Sequence, residues 1–205
     1  DSCSTPVRDI IPMLQPASAK PLVLRQIPIW ENGIATGFVD LASERAYVYR
    51  EHAASEIVEL PESVAAREKE ARYHMLEQLA DYDDALMEQL LSDMQPPNDH
   101  VFNDLASDLR KGLICPVMLG SAENGHGVFR LLKALRHEVP FVEDTAERLG
   151  VGRAKSAAYV MKSYHTGHGG KLSLVRVLKG EIADGTTVTG SGGRSERVAG
   201  IFSLR

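Results

Sequence analysis

The chain has 205 residues, 43% of them hydrophobic and 25% charged, which is the make-up of an ordinary folded protein with one large or two modest cores. Its formal net charge of −5 gives no global basic field, so sequence-specific DNA binding is not expected and any RNA contact must be local. No apolar run reaches the ~18 to 20 residues of a membrane span, and residues 1–20 lack the charged-then-apolar order of a signal peptide. Cys3 and Cys115 lie far apart, and Cys115 sits within the apolar run 114–119. A buried, reduced thiol is the expectation, and a cytoplasmic, non-membrane protein follows from these features together.

Residues 21–60 read as β structure. A strand-like stretch covers 21–30, Asn32-Gly33 is a hairpin signal, and further strands are expected at 38–41, 46–49 and 56–60. Pro28 argues for an edge position, because proline donates no ladder hydrogen bond. From Pro61 the period changes: Val64, Ala71, Met75, Leu79, Tyr82, Leu86 and Leu90 recur three, four or seven residues apart, the stripe of a helix facing a core. Asp81, Asp83 and Asp84 predict a bend and a cap within it, since aspartate favours helix starts over interiors. Pro96-Pro97 ends the segment, and Asn98 or Asp99 is the expected cap of a third helix with Val101, Leu105 and Leu109 inward. Residues 114–119 form a short apolar strand of the parallel-sheet kind, followed by a Gly-rich loop, 120–127. A helix follows, with Val128, Leu131, Leu132, Leu135 and Val139 expected inward and Pro140 as its stop. Residues 141–155 read as a polar linker. Beyond it, strands at 159–163, 171–178, 186–189 and 197–204 between Gly-rich turns give an all-β pattern. Both ends read as cut, because the first residue is not methionine and the last strand has nothing after it.

Several constellations fail on spacing. His165-Thr-Gly-His-Gly-Gly-Lys171 lacks the first glycine and the Ser/Thr of a phosphate-binding loop and reads as a hairpin turn. His165 and His168 have no nearby Cys or carboxylate to complete a tetrahedral metal set. Asp81, Asp83, Asp84 and Glu88 lack the alternating order and glycine of a calcium loop, so a polar helix face with a cap is the reading. No Ser-His-Asp or Cys-His nucleophile is visible. The surviving candidate is the loop at strand 114–119, because ligands of open α/β sheets bind at strand carboxyl ends.

The run Leu109-Arg-Lys-Gly-Leu-Ile-Cys-Pro-Val-Met-Leu-Gly-Ser-Ala122, with Gly125 to Val128 behind it, resembles the last guanine-nucleotide motif of the elongation factor G family of translational GTPases. Ala80-Asp-Tyr-Asp-Asp-Ala-Leu-Met-Glu88 is similar to a signature in the domain inserted into that family's GTPase domain. Ile27-Pro-Ile29, Gly37, Val39-Asp-Leu41 and Ala46-Tyr-Val48 resemble the strands before it. Gly170-Lys-Leu-Ser-Leu-Val-Arg-Val-Leu-Lys-Gly180, Asp184-Gly185 and Glu196-Arg197 are similar to the start of the β-barrel that follows. Glu123-Asn-Gly-His126 and Leu24-Arg-Gln-Ile27 depart from the main factors and point to an elongation factor G-like paralogue.

The resemblance implies an α/β or α+β inserted subdomain, about 28–110, joined to the last strand and helix of a P-loop-type GTPase domain within 1–140, then a linker, 141–155, and a partial all-β barrel, 156–205. It implies that the Ala122 N–H donates to guanine O6, that Ser121 braces the neighbouring loop, and that Glu123 belongs to the same contact loop. Asp1 stands at the interval from Pro28 at which the family's guanine-reading aspartate stands. An intact protein of this kind binds GTP with Mg²⁺ and acts on the ribosome, with ribosomal RNA and proteins as partners. This chain carries no Gly-x-x-x-x-Gly-Lys-Ser/Thr loop, no switch segment and no Asp-x-x-Gly followed by a water-positioning His, so by itself it is expected neither to hydrolyse GTP nor to hold GTP or Mg²⁺. Strand pairing between chains is expected at the open barrel edge. The open alternative is a non-enzymatic interaction module in which residues 21–110 dock a protein and the Ser121-Ala122 turn is incidental.

Overall fold

A computed structural model describes residues 5–167 and 170–203, which fall into two compact units divided between Pro140 and Phe141. The first unit opens with helix α1 (Val7–Leu14), then strand β1 (Leu22–Leu24), whose residues pair in parallel with β6 (Cys115–Val117). Between them in sequence lies a four-stranded antiparallel sheet of β2 (Gln26–Glu31), β3 (Ile34–Asp40), β4 (Arg45–Val48) and β5 (Glu56–Val58), in that spatial order. Asn32 and Gly33 both have positive φ, 51° and 79°, which is what a two-residue turn matching the strand twist requires. Pro28 lies in β2, the edge strand, where its missing N–H costs no ladder bond.

Helix α2 (Glu62–Ala80) starts after Pro61 and buries Val64, Met75 and Leu79 against Val23, Ile29, Val39 and Leu41 of the strands. The chain then bends where the aspartates predicted it. Helix α3 (Asp84–Leu91) is capped by Asp83, whose Oδ1 accepts from the Ala85 and Leu86 N–H groups at 2.7 and 3.1 Å. Helix α4 (Asn98–Lys111) adds Val101 and Leu105 to the same core, and Gly112 ends it in the left-handed conformation. Neither Asn98 nor Asp99 caps it: Pro97 occupies the cap position, and the Asn98 Oδ1 instead accepts from Arg72 at 2.8 Å. That arginine is buried and also donates to the Leu41 carbonyl, tying α2 to the end of the sheet.

Two expectations of burial are overturned in this unit. Cys115 is exposed, because β6 has a single neighbour and alternation turns Ile114, not Cys115, into the core. Helix α5 (Val128–His137) leaves Val128, Leu131, Leu132 and Leu135 exposed. Its inner side is polar: Arg130 pairs with the buried Asp40, and Glu138 just past its end is buried against Arg25. The helix is amphipathic as read, but the charges already buried in the strands select its polar stripe.

In the second unit the expected linker carries a helix, α6 (Val142–Arg148), and a short 3₁₀ turn at Val151–Arg153. Strands β7 (Ala157–Thr166) and β8 (Gly170–Lys179) pair antiparallel, and β9 (Thr187–Thr189) pairs with β10 (Ser195–Arg197). The strand expected at 197–204 is thus displaced: residues 195–197 pair, and 198–203 have no regular structure. Most β7 side chains are exposed, Leu178 of β8 is buried, and no closed barrel forms among the described residues. His165 lies in β7 opposite Lys171, in keeping with a hairpin, while His168 lies outside the described residues. No helix among the described residues is long and apolar enough to cross a membrane.

Candidate functional site

The parallel pair β1–β6 delivers the chain to the turn at residues 119–127. Strand continuity ends with the Arg25 N–H donating to the Val117 carbonyl at 3.0 Å. The Leu119 N–H then donates to the side-chain oxygen of Gln26 at 2.8 Å, so a buried glutamine takes over from the backbone ladder. Ser121 and His126 form a bridge, with the Ser121 N–H on the His126 carbonyl at 3.0 Å, and residues 122–125 make the tip.

Glycine is required where this loop closes on itself. Gly127 has φ +75°, and a Cβ there would stand 2.4 Å from the Leu119 carbonyl oxygen; at Gly120 it would stand 2.7 Å from that of His126. The tip is braced from outside. The His52 N–H donates to the Asn124 carbonyl at 3.1 Å, and Tyr49 stacks on His126. Burial pushes the Tyr49 hydroxyl up to about 12.

Ser121 is half-buried, while Ala122 and Glu123 are exposed at the tip. Neither the Ala122 nor the Glu123 N–H donates a hydrogen bond within the described structure. The turn therefore presents two backbone donors unused among the described residues, that of Ala122 carrying only a methyl side chain. Beside Gly120 and Ser121 lies a depression of about 170 Å³, whose wall also includes Pro28, Trp30, Tyr49 and Leu119. Asp1, the fourth candidate residue, lies outside the described residues. The bracing residues Gln26, Tyr49 and His52 were not legible as such, because no local pattern links them to a loop far along the chain.

A buried charge network anchors the helix that follows the turn. The Arg25 Nε lies 3.7 Å from the Asp40 Oδ2, and the same oxygen accepts from Arg130; Asp40 Oδ1 accepts from both the N–H and the hydroxyl of Ser43 at 3.2 Å. With Glu138 on Arg25, two cations and two anions balance.

No protein-family model matches the chain. Over 100% of its length it is 36% identical to an elongation factor G-like protein of Synechocystis sp., of which it covers 30%. Over 82% of its length it is 28% identical to elongation factor G 1 of Borreliella afzelii, of which it covers 26%. A crystal structure of a Thermus thermophilus protein matches 93% of this chain and 28% of that one, with TM-score 0.65 and 24% identity, and so bears on the fold alone. The chain thus spans less than a third of the length of the relatives it matches. With 36% identity to the Synechocystis protein over its whole length, the chain matches part of a protein of the elongation factor G family.

Proposed function

We propose that this chain is the part of a ribosome-associated, elongation factor G-like GTPase that supplies the Ser121-Ala122 contact to guanine and the domain inserted before it. The observation that carries this reading is the exposed tip, where the Ala122 N–H has no hydrogen-bond partner among the described residues. A backbone N–H accepts no donor, so it selects the O6 of guanine over the amino group of adenine, and a methyl side chain lets the base approach. Ser121 holds the base of the turn through its bridge to His126, Glu123 flanks the donor, and Asp1 is assigned to guanine N1 and N2, since a carboxylate accepts from both.

The residues present fit the base alone. The phosphates and Mg²⁺ of GTP would be held by sequence that this chain does not contain, and in the intact protein that part supplies hydrolysis. Residues 1–140 are assigned to the end of the GTPase domain with its insertion at about 28–110, and 156–205 to part of the following barrel. The intact protein then acts in the cytoplasm on ribosomal RNA and proteins.

The test is Ala122→Phe in the full-length protein, with GDP affinity measured by calorimetry. Loss of one hydrogen bond plus a clash is worth about 1 to 3 kcal/mol, roughly tenfold to hundredfold in affinity. Unchanged affinity would leave the turn structural and the assignment wrong.

A further inference from the structure

Away from the turn, the junction of α3 and α4 gathers donors that the bend alone does not need. Asp83 uses Oδ1 to cap α3, and its Oδ2 faces the Nε2 of His100 in α4 at 3.2 Å. One turn further along α4, the Oδ2 of Asp104 lies 3.6 Å from the same Nε2. The three ligand atoms all lie within 4.8 Å of one another. Donors each about 2.1 Å from a tetrahedral or octahedral ion are about 3.0 to 3.4 Å apart, so the two separations from the His100 Nε2, 3.2 and 3.6 Å, are close to the edges of a coordination polyhedron.

An ordinary ion pair leaves this arrangement unexplained. His100 presents one ring nitrogen to two carboxylates, so a single N–H cannot serve both well. The Asp104 Oδ2 is buried and meets no N–H donor at hydrogen-bonding distance among the described residues. Asp108, the next residue on that face of α4, is only 4% exposed and also has a buried Oδ2 with no hydrogen-bond partner among the described residues. Its charge acts on Asp104, and Lys111 offsets it in part. Two carboxylates on one imidazole, with the Asp108 charge acting on Asp104 from the next turn of α4, form a local excess of negative charge that a small dication would neutralise.

We propose that Asp83, His100 and Asp104 bind a divalent first-row cation of the Zn²⁺ or Mn²⁺ kind, which staples the start of α3 to α4, with Asp108 supplying further negative charge. One imidazole and two carboxylates suit such ions, and water fills the remaining positions.

The chain, stripped with chelator, is titrated with ZnCl₂ and separately with MnCl₂ in a calorimeter, and with CoCl₂ followed by visible absorption. One equivalent bound at micromolar strength is expected, with a cobalt spectrum showing nitrogen and oxygen ligands. His100→Gln and Asp104→Asn should each weaken binding more than about tenfold, whereas Asp99→Asn, exposed on the same helix, should not. Nitrogen NMR of the unaltered chain gives a readout free of folding effects: Zn²⁺ should move the ring resonances of His100 and leave those of His74 in place. Absence of binding, binding that survives both ligand substitutions, or a shift confined to other histidines would overturn the proposal.

Discussion

The imidazole of His126 lies flat against the ring of Tyr49, with centroids 4.7 Å apart and the planes parallel. The stack joins the end of β4 to the far limb of the turn, and Phe38, with its ring centroid 5.5 Å away, also packs against Tyr49. Burial raises the hydroxyl to about 12, so the folded chain holds this proton more tightly than the unfolded chain does. Stability from this group is complete below the unfolded value of 10.0 and is lost as pH rises from there through about 12. Ultraviolet titration of the six tyrosines should show one ionising late, and Tyr49→Phe should remove both that late step and its share of the alkaline loss of stability.

The closure of the turn rests on Gly127. Gly127→Ala should destabilise the first unit by more than about 2 kcal/mol in thermal unfolding, combining left-handed strain with the Cβ contact to the Leu119 carbonyl. Gly33→Ala has the same strain at φ +79° with open space around it, and should cost only about 1 kcal/mol. Equal losses at the two positions would mean that the close approach at Gly127 adds nothing.

Asp83 should behave as a cap with a pH signature. The Leu86 N–H, with help from the Ala85 N–H and His100, outweighs burial and holds its carboxyl below the ordinary 3.8. Its contribution is present above that value and is lost as pH falls through the lower, folded one. In chelator, Asp83→Ala should cost about 1 kcal/mol at neutral pH, while Asp83→Asn should retain most of the cap and lose the acid dependence.

The buried charge network should tolerate no single neutralisation. Asp40→Asn leaves Arg25 and Arg130 facing each other without their shared anion, and chemical denaturation should show a loss of about 3 kcal/mol. Arg50→Met, which breaks the exposed pair with Glu56, should change stability by less than about 1 kcal/mol.

Features with a local cause were legible in the sequence. Asn32-Gly33, Pro28 and the α2 stripe each announce their geometry within a few residues, and so does the Gly-rich turn after β6. What depends on distant partners was not. The polar side of α5 is marked by Arg130 and, eight residues on, Glu138, but nothing nearby says that Arg25 and Asp40 wait beneath them. Cys115 sits in an apolar run that identifies a strand without saying which side it turns inward. Asp83 was legible as a cap while Asp104 was not singled out, and only the fold brings the start of α3 beside α4 so that both face one histidine.

The balanced set of Arg25, Asp40, Arg130 and Glu138 also bears on how such a sequence drifts over generations. The members come from three places along the chain, Arg25 before β2, Asp40 in β3, and Arg130 and Glu138 in and just past α5, yet changing any one leaves a charge unbalanced in a largely buried network. Lineages can leave the arrangement only by exchanging members together, as an apolar pair or with signs reversed. Among descendants, these four positions should therefore record their contact as correlated substitution, with few sequences caught halfway.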